Sequence, residues 1–423
     1  MNLLSKYLSK LEFKDYEDFK ALKLNIPENF NFGYDVVDYY AEHDPNKRAL
    51  VWCDYSGNEK ILTFLELKRL SAKAANYMLS LGIKSGDYIM TMLNRRWEYW
   101  VIAVACHKIG VTLIPATHLL TRKDIIYRIK QGEIKMLFCT TESDVVEHIL
   151  DSLDECKDLK GCLFTKPVKG FRTIEEAWRD MPETLDYPRP DSNGTMLCYF
   201  TSGTTGMPKM VEHNFYYPLG HIITAKFWQQ VVDDGLHFTM AETGWAKASW
   251  GKIYGQWLAG SAVFAYDYHG RFTPTDVLPL IEKYKITTFC APPTIYRFLI
   301  KEDLSKYDFS SLTHCTTAGE ALNPEVFKQF YQATGLKIYE GYGQTESTVL
   351  LAAFGFSEPV IGSLGLPSPI YQIELVDDDE NVLGPGVEGE IAILNETATC
   401  GLVYNYKGEP YRTKEARGGN YYH

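Results

Sequence analysis

Nine consecutive residues, Thr201, Ser202, Gly203, Thr204, Thr205, Gly206, Met207, Pro208 and Lys209, concentrate side chains able to do chemistry. Gly203 and Gly206 tolerate positive φ and allow a backbone to approach a ligand closely. Successive N–H groups in such a turn form an anion-binding nest. Thr204 and Thr205 add hydroxyl donors, and Lys209 adds a full positive charge at the rim. The combination suits a chain of phosphates. It is not a Walker A loop, which needs adjacent Gly and Lys, then Ser or Thr, opening a helix. Here Pro208 precedes Lys209 and Met210 follows it, and residues 209–213 read as extended. The expected geometry is strand, loop, strand: residues 196–200 deliver the chain into Thr201, and a helix starts only near Asn214. Taken alone, the same loop also reads as an ordinary surface turn.

It is accompanied by two further stretches, TTAGEAL at 316–322 and YEGYGQTES at 339–347. In that order and spacing the three segments resemble the adenylate-forming superfamily of acyl-CoA synthetases, luciferases and adenylation domains. GDYIMTMLNRRWEYW, KIGVTLIPA and APPTIYRFL extend the resemblance over nearly the whole chain. AETGWAKASWGKIYGQWLAG, residues 241–260, is most similar to the medium-chain acyl-CoA synthetase branch.

The resemblance implies a reaction in two halves. A small-molecule carboxylic acid attacks the α-phosphorus of ATP, giving acyl-AMP and pyrophosphate, and the thiol of coenzyme A then displaces AMP; the alternatives are a module that hands acyl-AMP to a carrier-protein thiol and a nucleotide-binding fragment without activity. Both attacking groups belong to substrates, so the protein supplies alignment and charge neutralisation. Carried over position by position, Thr201 to Lys209 would hold the β- and γ-phosphates. Gly319, Glu320 and Ala321 would line the nucleotide. Tyr342, flanked by Gly341 and Gly343, would stack on adenine, with Glu340 and Gln344 beside it. Thr345 would bond the α-phosphate, and Glu346 would hold Mg²⁺. Lys209, Thr345 and Glu346 are thus the expected catalytic set.

The resemblance also implies that the acid lies beside Gly244, Trp245 and Gly341. Trp245, Trp250, Tyr254 and Trp257 lie at near-helical spacing, so an acyl-pocket wall and plain core are both consistent with them. Glu242 stands where the family usually carries Asp, which leaves its role open. Lys247 and Lys252 read as solvated, the alternative being contact with a carboxylate or a CoA phosphate. The acidic run 377–381 reads as a hairpin turn: Val382 and Pro385 depart from a calcium loop. His213, His221 and His237 are too scattered for zinc.

These residues need a scaffold. The chain has 423 residues with 45% hydrophobic content, ordinary for globular proteins and too long for one core. Strand-like runs at 86–93, 111–116 and 134–140 alternate with helical patterns at 62–83 and 97–110. That alternation predicts an α/β fold with mostly parallel sheets covered on both faces. Beyond residue 362 the pattern turns to short alternating runs, which predicts a small antiparallel, barrel-like β subdomain. The expected divisions are residues 1–190, 191–362 and 363–423.

A net charge of −11 argues against a nucleic-acid surface. Nine cysteines without a CxxC pair suggest reduced, buried thiols. The first twenty residues read as a short charged helix, not a signal peptide, and no apolar run is long enough to span a membrane. A cytoplasmic location follows as an expectation. The resemblance also implies a C-terminal lid domain carrying a catalytic lysine and an Asp for the ribose, neither within the sequence. Losing one preorganised donor costs on the order of 10²–10³ in rate, so the chain alone is expected to adenylate poorly.

Overall fold

Thr63 accepts a hydrogen bond from the Glu66 amide while the Glu66 carboxylate accepts from the Thr63 amide. This reciprocal cap opens the helix Phe64–Ser80, whose Ala72, Ala75 and Met78 are buried. The chain leaves it through Gly82, at φ +73°. The helix Glu98–Ile109 is buried at every position and has no polar face, the mark of an element enclosed on all sides. Gly110 ends it in the left-handed region. The computed structural model describes residues 3–201, 207–397, 400–417 and 419–423.

Among these described residues, three sheets form. The largest runs Leu366–Pro367, Leu351–Ala352, Ile338–Tyr342, His314–Ala318, Thr288–Cys290, Leu236–Thr239, Ala262–Asp267, Arg48–Asp54, Glu59–Thr63. Its interior pairings are parallel and its outer ones antiparallel. The second runs Asn405–Tyr406, Lys209–Asn214, Thr195–Thr201, Thr112–Pro115, Tyr88–Met92, Ile134–Cys139, Gly161–Phe164. The third is antiparallel: Ile373–Val376, Glu390–Leu394, Tyr421–Tyr422. The expected α/β class with a smaller antiparallel unit is therefore what forms.

Sheet pairing crosses the division expected at residue 190. Thr195–Thr201 extends the sheet begun by Tyr88–Met92, and Arg48–Asp54 joins the sheet completed after residue 236. Asn405–Tyr406 leaves the third segment to pair with Lys209–Asn214. One large core, reaching from Leu50 and Val263 to Leu113 and Val211, links the two large sheets through the helices at 64–80, 98–109 and 217–222.

The amino-terminal stretch is not one helix. It forms a 3-10 turn at Leu3–Lys6 and a single helical turn at Tyr16–Phe19, capped by Asp15. Leu3, Leu4, Tyr7, Leu8 and Phe19 are all buried, and reaching those sites requires a bent path. Residues 377–381 form the expected turn. Asp377 accepts from the amides of Asp379 and Asn381, and Val376 bridges Val382.

Candidate active site

The strand Lys209–Asn214 pairs antiparallel with Thr195–Thr201, and Thr201 lies opposite Lys209. The two expected strands are thus present; Ser202, Gly203, Thr204, Thr205 and Gly206 between them lie outside the described residues. The buried hydroxyl of Thr201 has no hydrogen-bond partner among the described residues. Lys209 Nζ lies 2.7 Å from Glu346 Oε1 and 4.9 Å from the centre of the Tyr406 ring. Glu346 is 7% exposed, and its carboxylate also accepts from the Tyr406 hydroxyl at 3.4 Å.

The loop after Ile338–Tyr342 carries Gly343, Gln344 and Thr345. These three, with Ala318, Gly319, Trp245, Ala246, Lys247 and Trp250, line a cleft of about 470 Å³. Gly319 holds φ +102°, and a Cβ there would meet the Lys247 ammonium. A Cβ on Gly343 would stand 2.4 Å from the Trp250 ring and 2.6 Å from the Thr348 carbonyl. Backbone therefore reaches the cleft wall in both segments, which side chains would prevent.

Several buried groups fix this loop. His213 Nε2 donates to the Thr345 carbonyl at 2.8 Å, and its ring stacks on Tyr217. Burial pushes its pKa down to about 4, so the ring is neutral; the Thr345 carbonyl acts weakly the other way. Thr348 N donates to Gly401 O at 2.9 Å, Val403 N to Glu346 O at 2.5 Å, and Tyr404 N to Glu212 O at 2.8 Å. Glu340 accepts from the Leu322 amide at 3.0 Å and so ties the loop after Ala318 to the strand bearing Tyr342. Burial raises the Glu340 pKa, with the Leu322 amide opposing.

The expected site residues fall into two groups. Trp245, Gly319, Gly343, Gln344 and Thr345 meet around the cleft, with Lys209 and Glu346 paired nearby. Tyr342 is half-buried at the end of its strand, its hydroxyl 3.4 Å from Gln344 Nε2. Glu320 and Ala321 are exposed, and Glu320 is engaged by the Thr294 amide and hydroxyl. Gly341 faces the Trp228 ring, and Gly244 lies against the Ala116 backbone; both permit close packing and neither lines the cleft.

Two expectations are corrected. Lys247 is not solvated: it lines the cleft and donates to the Ala318 carbonyl at 2.7 Å, and burial lowers its pKa. Lys252 is 1% exposed, and burial, aided by Arg95, takes its pKa down to about 7. Glu242 is buried and accepts from His118 Nδ1 at 3.0 Å and from the His118 amide. Of the aromatic row, Tyr254 and Trp257 are plain core, Trp250 is buried but also lines the cleft, and Trp245 lines it while 58% exposed. Sequence reasoning missed Tyr406, because nothing local signals that a strand two hundred residues on will cover Lys209.

The donor set tests the implied ligands. Among the described residues no group of three His, Cys, Asp or Glu side chains is placed to hold a metal ion. One buried carboxylate beside a cation fits Mg²⁺, which takes few protein ligands and several phosphate oxygens. A glycine-lined cleft with aromatic walls fits a nucleotide.

Comparison with known proteins follows the same line. The family model described as AMP-binding enzyme matches residues 37–402. The mitochondrial acyl-coenzyme A synthetase ACSM3 of Rattus norvegicus is 36% identical over 427 residues, covering 97% of this chain and 72% of the relative. Human ACSM4 is 36% identical over 423 residues, with 97% and 72% covered. Among solved structures, an acyl-CoA synthetase of Brucella canis superposes with a TM-score of 0.84 at 22% identity, covering 94% of this chain and 72% of that one. The anthranilate CoA ligase AuaEII, solved with anthranoyl-AMP, gives 0.85 at 22% identity, covering 94% and 75%. At that identity the two structures speak for the fold.

Proposed function

Because the chain belongs to the AMP-binding enzyme family, we propose that it is an ATP-dependent acid–thiol ligase. It activates a carboxylic acid as acyl-AMP with release of pyrophosphate and passes the acyl group to coenzyme A. The observation that carries this reading is the meeting of two glycine-bearing segments, Gly319 and Gly343–Thr345, in one cleft beside the half-buried Lys209–Glu346 pair. No side-chain nucleophile is needed there, since the acid and the thiol do the attacking. The chain's task is to orient them and to balance phosphate charge.

In this proposal Lys209 and the backbone around Thr201 take the outer phosphates, and Thr345 bonds the α-phosphate. Gly319, Gly343 and Gln344 form the nucleotide wall, with Glu320, Ala321 and Tyr342 at its margin, and Trp245 borders the acid; Glu340, Gly341 and Gly244, outside the cleft lining, hold the segments behind it in place. Glu346 would hold Mg²⁺, which supplies neutralisation of phosphate charge when bound. Lys209 and Glu346 offset each other in the free chain; the triphosphate and its cation replace each as the other's counter-charge.

The division of the chain at residues 190 and 362, a covering C-terminal domain and a cytoplasmic location belong to the same proposal. Exposure of Trp245 and Gln344 at the cleft supports a cover. Among the described residues no helix is long and apolar enough to cross a membrane. Cell fractionation against the mitochondrial setting of the named relatives decides the compartment.

The test is ATP–pyrophosphate exchange over a panel of carboxylic acids, with CoA thioester formation as a second readout. Acid-dependent exchange is expected, slow for the chain alone. ATP hydrolysis indifferent to every acid would sink the proposal.

A further inference from the structure

Glu242 and His118 form a pair that takes no part in the adenylation described above. Glu242 is 8% exposed, and both of its oxygens are engaged. Oε1 accepts from His118 Nδ1 at 3.0 Å and from the His118 amide at 3.1 Å, and Oε2 accepts from the Thr117 hydroxyl at 3.2 Å. Burial works to raise the Glu242 pKa, but the bonds from His118 and the charge of Arg95 outweigh it and hold the carboxyl below its ordinary range. The carboxylate is ionised at neutral pH and can only accept, so the proton it meets sits on Nδ1. In the neutral ring the free lone pair is then on Nε2, which makes no hydrogen bond among the described residues.

The pair stands beside the cleft. A Cβ on Gly244 would lie 2.4 Å from the Ala116 carbonyl carbon and 2.5 Å from the Thr117 amide nitrogen. The backbone leading to Trp245 thus runs directly against the backbone leading to His118. Trp245, a cleft wall, donates its amide to the Glu242 carbonyl at 3.2 Å, one turn away. The His118 side chain is 21% exposed, whereas His107, His213, His221, His237 and His314 are buried. A buried carboxylate that fixes the tautomer of a partly exposed imidazole equips that ring as a general base.

We infer that His118 is a catalytic base for the transfer to thiol, the second half of the reaction, and that Glu242 is its positioning residue. This rests on the acid-activating reading above. The thiol approaches acyl-AMP in the cleft past Trp245, the side that His118 borders. Nε2 takes the S–H proton, and the sulfur forms a bond to the acyl carbon. The bond from that carbon to the phosphate oxygen breaks, and AMP leaves with the electron pair. The imidazolium returns its proton to solvent. A thiol is mostly protonated at neutral pH, and the thiolate is the nucleophile, so a placed base has work to do in this half. The first half needs none, because a carboxylate attacks already ionised.

The experiment supplies synthetic hexanoyl-AMP and coenzyme A to the chain and follows hexanoyl-CoA above the protein-free rate. ATP–pyrophosphate exchange is measured in parallel. His118→Asn puts an amide nitrogen where Nδ1 stands, so the bond to Glu242 survives while the base is lost. The kcat for thioester formation should fall about 10²-fold or more, with KM for coenzyme A and the exchange rate each within about threefold. Glu242→Gln removes the charge behind the ring, should lower the same kcat about tenfold, and serves if His118→Asn does not fold. Thioester formation unchanged in both variants overturns the inference. So does a fall matched by exchange, a rise in KM alone, or no thioester above the protein-free rate. ATP hydrolysis indifferent to every acid sinks the ligase reading whatever the variants do. Acid-dependent exchange beside thioester formation indifferent to His118 sinks this inference alone, so the two failures are separable.

Discussion

The ammonium of Lys209 and the carboxylate of Glu346, 137 positions apart in sequence, stand 2.7 Å from each other beneath the Tyr406 ring. One begins the strand after the glycine- and threonine-rich loop. The other follows the loop that lines the cleft. The two residues proposed for a polyanion and a dication thus form an ion pair with each other.

Replacement of Lys209 tests the first half of that relation. Lys209→Met keeps the aliphatic stem and removes the charge. Acid-dependent pyrophosphate release should fall at least tenfold, since a direct charge-assisted contact to phosphate is lost. Steady-state release assays check it, and an unchanged rate means the loop serves something else.

Glu346→Gln tests the second half. The amide preserves shape and can still face Tyr406 and Lys209, but it is a poor ligand for a hard cation. The magnesium concentration giving half-maximal exchange should rise at least tenfold. A magnesium titration showing no shift removes Glu346 from the metal site.

The two tryptophans of the cleft should separate cleanly. Trp245 is exposed, so Trp245→Ala should leave the unfolding free energy within about 0.5 kcal/mol. It should still lower kcat/KM for the acid several-fold. Trp250, 7% exposed and packed on Trp228, should cost about 3–5 kcal/mol when cut to Ala. Denaturant melts and acid kinetics on both variants decide this.

Acid should destabilise the fold through its buried histidines. His213 titrates near 4 in the fold, against 6.5 when exposed, because burial disfavours its charged form. His107, His237 and His314 are lowered to about 3, 3 and 4 for the same first reason. Between pH 6.5 and 4 the unfolded chain binds the extra protons, so stability falls as pH falls. Asp267, raised to about 7 by burial, works with the opposite sign over the same window. The share of His213 is on the order of 3 kcal/mol by pH 4. His213→Gln keeps a donor for the Thr345 carbonyl and should flatten the loss by about one proton in melts across pH 4–7.

The sequence was most legible where punctuation is local. Gly82 and Gly110 announce helix ends, and the runs at 86–93, 111–116 and 134–140 match Tyr88–Met92, Thr112–Pro115 and Ile134–Cys139. The cleft glycines were legible too, because the residue type itself encodes close approach. Pairings between distant strands were not, such as Arg48–Asp54 with Ala262–Asp267. Nothing in either segment names its neighbour. Burial of Lys252 escaped for a related reason: its position is set by Trp100, whose indole N–H donates to the Lys252 carbonyl from an enclosed helix.

The short strand Asn405–Tyr406 forms the outer margin of the sheet beside Lys209–Asn214. Shortened versions of the chain that stop before it would strip that margin and bare a row of unpaired amides and carbonyls next to Lys209. Bare margins recruit other chains. Such fragments would be lost to clumping in the test tube before any question of chemistry could be put to them, so residues 400–406 set the minimum length worth expressing.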